Sequence, residues 1–167
     1  MNINYFSCVP PYNQEGGREA LENPNSAAWM TEMAKIFEQR RDAVLTQLNA
    51  VDGVSCQKPG GAFYLFPNIS GLCERLGIFE AFDRLPRHIR TNTSPSSLFQ
   101  MFALCEHQVA VMDRRSFGRI GAENLHFLRL SIAADLETLN EGVERLAAAG
   151  RNGRGFRRFM KAGQFLL

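Results

Sequence analysis

The residue whose type and position most clearly indicate a chemical role is Arg129. It interrupts an otherwise apolar run, HFLRLSIA, at residues 126–133. The two-residue period of a β-strand divides this run into two faces, one with Leu128, Leu130 and Ile132 and the other with Phe127, Arg129 and Ser131. A guanidinium stays charged in proteins, and burying it without a partner is costly. The pattern therefore predicts that an anion meets Arg129.

The residues alone leave two sources for this anion open. One is a carboxylate of the chain itself, such as Glu123 or Asp135. Structural ion pairs of this kind outnumber ligand-binding arginines, so the pattern by itself favours them. The other source is the carboxylate of a bound ligand, which a planar guanidinium can hold through two parallel hydrogen bonds.

Composition narrows the class of protein. The 167 residues are 45% hydrophobic, which is enough for one globular domain with a substantial core. A net charge of +2 is too small to imply a nucleic-acid or membrane partner, and no apolar run approaches the length of a membrane span. The cysteines form no C-x-x-C pair, which favours a reducing cytoplasm over a zinc site or a disulfide scaffold: Cys8, Cys56, Cys73 and Cys105.

Periodicity predicts the elements that must position Arg129. Helical spacing predicts helices near residues 15–21, 25–48, 72–82 and 96–107, and a further helix capped by Asp135. The helix over residues 25–48 has an apolar stripe of Trp29, Met33, Ile36 or Phe37, Val44 and Leu48, and a polar face with Glu38, Arg40, Arg41 and Asp42. Short apolar runs predict strands in VDGVSCQ, AFYLF, VAVM and HFLRLSIA, with RLPRHIRTNTSPSS as a loop. We therefore expect an α/β fold of two layers (α+β), in which helices cover a small mixed sheet.

Three segments, in this order, resemble one protein family: FEQRRDAVLTQLNAVDGVSCQKPGGAFYLFP, QVAVMDRRSFG and FLRLSIAADLETLNEGVERL. Together they are similar to the C-terminal small domain of class I, aspartate aminotransferase-like, pyridoxal-phosphate-dependent aminotransferases of fold type I. The segment SCVPPYNQEGGREAL resembles the connection between the large and small domains of that family. We accordingly assign residues 1–24 to this connection and residues 25–167 to the small domain.

The resemblance implies a role for Arg129, because the arginine of the R-[LIV]-S strand in that family binds the α-carboxylate of the amino-acid substrate. It also implies a minor substrate-binding role for Tyr64 in GAFY, although an aromatic residue in such a strand more often belongs to the core. Phe117 and Gly118 either shape the pocket or are ordinary turn residues.

The resemblance further implies pyridoxal 5'-phosphate as the cofactor of the full enzyme, an amino acid (aspartate by default) and a 2-oxo acid as substrates, and a homodimer. None of the three lysines, Lys35, Lys58 and Lys161, has the S-K context of the family's cofactor lysine. We therefore expect that this chain holds no cofactor by itself, depends on a missing large domain and is inactive alone. The alternative is a stand-alone, non-catalytic interaction module derived from an aminotransferase.

Other residues carry weaker indications. The turn Asp113–Ser116 stands where family members have a turn with Pro-Gly, and we expect Arg114 and Arg115 to be solvated there. The basic tail from Arg151 to Leu167 could be an RNA-binding arm, but we expect a terminal amphipathic helix that docks its phenylalanines: Phe156, Phe159 and Phe165. The histidines are isolated in sequence, so surface or core positions are expected for His88, His107 and His126.

Overall fold

The structure is a computed structural model, and it describes residues 8–118, 124–163 and 165. The chain divides into two compact units, one up to Glu38 and the other from Gln39 onward, which are described separately. Among the described residues, no helix is both long and apolar enough to cross a membrane. The boundary expected at residues 24 and 25 stays a prediction.

The first unit is helical in its described part. Helix α1 (Pro11–Glu22) begins with a proline, at a position where a helix offers no partner for the N–H, and it ends shortly before Pro24. Helix α2 (Ser26–Asn49) begins in this unit. The large apolar side chains of this part of α2 are exposed: Trp29, Met30, Met33 and Ile36. The apolar stripe that helical spacing predicts is therefore unburied over this first part of the helix.

The part of α2 that belongs to the second unit buries Val44 and Leu48, as helical spacing predicts. It also buries Arg41, which the pattern assigns to the polar face. Arg41 Nε donates to Asp42 Oδ1 at 2.8 Å, and Arg41 Nη1 donates to the carbonyl of Pro59 at 3.4 Å. The assignment of Arg41 to the polar face is therefore wrong, because a contact distant in sequence decides its environment.

In the part of the second unit that the structure describes, the sheet has three short strands: β1 (Tyr64–Leu65), β2 (Met112–Asp113) and β3 (Leu128–Ser131). Strand β3 lies in the middle and pairs antiparallel with both neighbours, with Tyr64 opposite Ser131 and Met112 opposite Arg129. The predicted fold class is confirmed, although both pairings are antiparallel where a mixed sheet is predicted. Isolated bridges from Asn68 to Ser55 and to Phe127 stand in place of the strand predicted in VDGVSCQ.

The described residues of the second unit form six further helices: α3 (Ser70–Leu76), α4 (Ile78–Asp83), α5 (Arg87–Asn92), α6 (Pro95–His107), α7 (Leu136–Arg151) and α8 (Gly153–Ala162). Gly77 adopts the left-handed conformation, with φ of 70°, and splits the single helix predicted over residues 72–82 into α3 and α4. The loop predicted in RLPRHIRTNTSPSS is wrong in part, because this segment contains helix α5. Its first turn closes when the amide of Arg90 donates to the carbonyl of Pro86 at 3.1 Å, a local bond that apolar periodicity does not reveal.

The core lies around α6, which contacts α3, α4, α7 and α8. Phe102 of α6 is fully buried, and its ring lies 5.5 Å from the ring of Phe156 and 5.6 Å from that of Phe159. Phe165 contacts Phe159 at 6.3 Å. The basic side chains of α8 remain exposed: Arg154, Arg157, Arg158 and Lys161. The described tail therefore contains an amphipathic helix, Gly153–Ala162, that docks through Phe156 and Phe159, as predicted.

Candidate functional site

One face of the sheet is buried and the other is open. Leu65, Leu128 and Asp113 point inward and are buried. Residues that pair directly across antiparallel strands share a face, so the register brings one set together on the open side: Tyr64, Met112, Arg129 and Ser131. The alternation predicted for β3 is confirmed. The expectation that Tyr64 belongs to the core is wrong, because Leu65 takes the inward position and leaves Tyr64 half-buried on the open face.

Two aromatic rings and one sulfur atom surround the guanidinium of Arg129. Its Cζ lies 4.2 Å from the ring centroid of Tyr64 and 4.3 Å from that of Phe117. Its Nη2 donates to the Sδ atom of Met112 at 2.8 Å. Both aromatic contacts are of the cation–π type, in which the electron-rich face of the ring attracts the cation. The site thus stabilises the positive charge without neutralising it.

One of the two carboxylates named from the sequence, Asp135, has partners other than Arg129. Asp135 caps α7 as predicted, since its carboxylate accepts from the amide and the hydroxyl of Thr138, both at 2.8 Å. These hydrogen bonds lower the pKa of Asp135. Glu123 lies outside the described residues. Within residues 8–118 and 124–163, no carboxylate forms an ion pair with Arg129.

A short 3-10 turn, Arg114–Phe117, follows β2 and carries the Phe117 ring to Arg129. Arg115 anchors this turn to the segment that ends α5, with Nη2 donating to the carbonyl of Thr91 at 2.6 Å and Nη1 to that of Thr93 at 3.0 Å. Arg115 is exposed, as expected, and it makes these two contacts at the surface. Gly118 ends the turn with φ of 94°, a conformation that favours glycine, which agrees with its expected turn role.

Asp113 is a structural residue of the site that the sequence pattern does not reveal. Its buried carboxylate accepts hydrogen bonds from three hydroxyls at the start of α6, from Ser94 at 3.0 Å, Ser96 at 2.5 Å and Ser97 at 2.8 Å. Its backbone amide donates to the side chain of Gln100 at 2.8 Å. The S-P-S-S segment at an N-cap is the signal that could have indicated it, because those hydroxyls need acceptors. Asp113 thereby ties β2, and the turn after it, to α6.

The three lysines of the chain are all exposed. Lys58 is exposed, and its Nζ lies 3.1 Å from the carboxylate of Asp42. Hydrogen bonds from Arg41 and then from Lys58 lower the pKa of Asp42 to about 2. Lys161 lies on the exposed side of α8, and Lys35 belongs to the other unit. A Schiff-base lysine requires a desolvated or otherwise activated amine, which these surroundings do not provide.

The three histidines either pack against phenylalanine rings or are exposed. His126 contacts the ring of Phe79 at a centroid distance of 5.1 Å, and burial lowers its pKa. His107 packs against Phe102 at 5.2 Å, and burial lowers its pKa as well. His88 is exposed.

An open cleft of about 480 Å³ adjoins the Arg129 site, and its walls include Lys58, Tyr64, Phe66 and Phe127.

The sequence profile of the family "Aminotransferase class I and II" matches residues 2–146. This chain belongs to that family. The match covers most of the chain, including β1, β2 and β3 and the Arg129 site. The resemblance inferred from the three sequence segments is therefore confirmed.

Individual relatives agree with the family assignment. A probable aspartate/prephenate aminotransferase of Aquifex aeolicus is 35% identical over 149 residues, which cover 89% of this chain and 32% of that protein. An aspartate aminotransferase of Rhizobium meliloti is 32% identical over 143 residues, covering 86% of this chain and 31% of that protein. This chain thus spans about 30% of the length of the curated relatives it matches.

Solved structures show the same fold. The crystal structure of an aromatic aminotransferase from Pyrococcus horikoshii superposes with a TM-score of 0.61 and 30% identity, covering 82% of this chain and 30% of that chain. The aspartate aminotransferase of Rhizobium meliloti superposes with a TM-score of 0.59 and 32% identity, covering 80% of this chain and 29% of that chain. The two-layer arrangement around the sheet is therefore that of an aminotransferase.

Proposed function

We propose that this chain is the substrate-gating small domain of an aminotransferase and that Arg129 binds the α-carboxylate of the amino-acid substrate. One observation carries the proposal. The Arg129 guanidinium stands on the open sheet face, and in the described part of the chain its hydrogen-bond acceptor is a thioether, Met112 Sδ, rather than a carboxylate. A thioether is a weak acceptor, so most of the donor capacity of Arg129 is available to an anionic ligand.

The geometry of a guanidinium explains why arginine suits this role. Two N–H groups can donate in parallel to both oxygens of one carboxylate, so that the bond fixes the direction of the ligand as well as its charge. An amino acid held in this way presents its Cα bonds in one orientation, which favours a reaction that breaks only one of them. Movement of the small domain towards the substrate would then exclude water from the reacting groups.

Family membership implies pyridoxal phosphate as the cofactor of the full-length enzyme. The lysines described above do not fit a cofactor site, so we assign this chain no step of the amino transfer itself. The proposed overall reaction is the reversible transfer of an amino group between an amino acid and a 2-oxo acid. We propose aspartate as the amino donor, because several relatives are named aspartate aminotransferases.

The proposed partner is a large domain that supplies the cofactor lysine, and the full enzyme would be a homodimer working in the cytoplasm. The proposal rests on the share of the relatives that this chain spans, about 30%. The isolated chain would then be inactive.

Borohydride trapping tests whether this chain holds pyridoxal phosphate by itself. The purified chain is incubated with pyridoxal phosphate, reduced with borohydride and mapped by peptide mass spectrometry. We expect no labelling, or weak labelling spread over Lys35, Lys58 and Lys161. Stoichiometric labelling of a single lysine would mean that the chain holds its own cofactor, and the proposal of a dependent small domain would then be wrong.

A ligand titration tests the role of Arg129. The Nε–H signal of Arg129 is followed by NMR as pyruvate, the smallest 2-oxo acid, is added, with methyl pyruvate as the uncharged control. Pyruvate should shift the signal and methyl pyruvate should not. Because Arg129→Lys lacks this Nε–H group, its affinity for pyruvate is compared with that of the parent by isothermal titration calorimetry. The exchange should weaken binding roughly 10- to 100-fold, since about 1.5–3 kcal/mol is typical for hydrogen bonds to a charged group. Equal affinity of the two proteins for pyruvate would refute the carboxylate role.

A further inference from the structure

The contacts of Arg129 suggest how its guanidinium is held ready before a substrate arrives. We propose that Tyr64 and Phe117 are positioning residues that hold Arg129 between their rings, and that Met112 occupies one of its donors until a carboxylate replaces the sulfur atom. The inference rests on the proposed function, because it assigns a task to residues around the same arginine. It also makes a separate claim about the free chain, which can be tested without any ligand.

The rings can orient Arg129 while leaving its charge free. The Arg129 Cζ lies 4.2 Å from the Tyr64 centroid and 4.3 Å from the Phe117 centroid, which is within the range of cation–π attraction. A carboxylate in the same place would cancel the charge and occupy the N–H groups that a substrate needs. Aromatic rings restrict the side chain without doing either. An arginine that is already ordered loses less conformational entropy when it binds a ligand.

Both rings are themselves held in place. Tyr64 lies in β1, whose pairing with β3 fixes it opposite Ser131. Phe117 packs edge-on against Phe66 with centroids 5.7 Å apart, and the turn that carries it is anchored by Arg115. The two rings therefore come from separate segments of the chain that meet only in the folded sheet.

Met112 is suited to be replaced. It pairs directly opposite Arg129, and its Sδ atom accepts from Nη2 at 2.8 Å. Because a thioether accepts hydrogen bonds weakly, exchanging it for a carboxylate oxygen gives a stronger bond to the same donor. The Met112 side chain is 39% exposed, so it has room to move aside.

Side-chain NMR of the complete 167-residue chain tests the positioning role without a ligand. Rings beside a guanidinium displace the signals of its neighbouring protons, so the Arg129 Hδ and Hε signals should lie away from those of exposed arginines such as Arg157. Tyr64→Phe keeps the ring and should preserve this displacement. Tyr64→Leu and Phe117→Leu should each reduce it. Unchanged Arg129 signals in both leucine variants would overturn the inference.

The pyruvate titration then separates this inference from the proposed function. We expect Tyr64→Leu and Phe117→Leu to weaken binding about two- to five-fold, the size of a cation–π contact at an exposed site, and Tyr64→Phe to bind as the parent does. Met112→Leu should bind at least as well as the parent, whereas Met112→Glu should prevent binding by pairing with Arg129. Ring-displaced Arg129 signals with no response to pyruvate would refute the carboxylate role while the positioning role stands. A normal response to pyruvate in both leucine variants would refute the positioning role alone.

Discussion

Replacing Asp113 with asparagine should destabilise this chain, because it changes one acceptor atom on the buried face of the sheet. Asp113 is 4% exposed, and its carboxylate collects the hydroxyls of Ser94, Ser96 and Ser97. Asparagine keeps the shape of the side chain but turns one acceptor oxygen into a donor. That NH2 group would face hydroxyls that now donate, so at least one of the three hydrogen bonds must be lost or reversed.

The magnitude follows from these contacts. A hydrogen bond to a charged group contributes about 1.5–3 kcal/mol, and a negative charge near a helix N-terminus adds roughly 0.3–1 kcal/mol. The hydroxyls can rotate and recover part of the loss. We therefore expect Asp113→Asn to lower the free energy of unfolding by about 2–4 kcal/mol. That is a large share of the ~5–15 kcal/mol typical of a whole domain.

Urea unfolding of the complete chain near neutral pH measures this loss. Ser97→Ala is the matched control, since it removes one donor at 2.8 Å from Asp113 and should cost about 1.5 kcal/mol, the lower end of that range. The double variant should lose less than the sum of the two, because both changes remove the same bond. A loss below about 0.5 kcal/mol for Asp113→Asn, with an unchanged urea slope, would refute our account of this cluster.

Three further predictions concern the backbone and one histidine. Gly53→Ala should lower the free energy of unfolding by at least about 2 kcal/mol, because φ is 80° and the new Cβ would lie 2.6 Å from the amide nitrogen of Leu72. Both this variant and its control, Gly60→Ala, are measured by thermal unfolding. In the control, no atom lies within 4 Å of the new Cβ. Gln108→Gly should raise the free energy of unfolding by about 0.5–1 kcal/mol, since Gln108 ends α6 with φ of 56°; a lower melting temperature would contradict this. Burial lowers the pKa of His126 below its unfolded value of 6.5, so the unfolded chain binds more protons as the pH falls through that value. The free energy of unfolding should therefore decrease from about pH 7.5 to 5.5, and less steeply in His126→Phe; equal slopes would count against this assignment.

Local patterns predicted the elements whose burial follows from their own periodicity. The alternation of β3 placed Arg129 on the opposite face from Leu128, and the register of the sheet agrees. Asp135 was recognisable as an N-cap, and the phenylalanines of the tail as the buried face of a helix. In each case the signal and the contact lie within a few residues of each other in the chain.

The predictions that were wrong concern contacts between distant segments. Arg41 is buried because its guanidinium reaches the carbonyl of Pro59, 18 residues later in the chain. Tyr64 lies outside the core because Leu65 takes the inward position of a two-residue strand. Composition and spacing contain no information about which backbone carbonyl or which ring a long side chain will meet.

The sequence by itself determined that Arg129 sits in a strand, on the face opposite Leu128, and that the chain resembles an aminotransferase small domain. Only the tertiary structure decided which groups surround that arginine. Tyr64, Met112 and Phe117 come from three separate segments, and strand pairing and the turn after β2 bring them within contact of one guanidinium. The physical reason is that strand register and turn anchoring are set by long-range hydrogen bonds, whereas periodicity reports only which face of an element is buried.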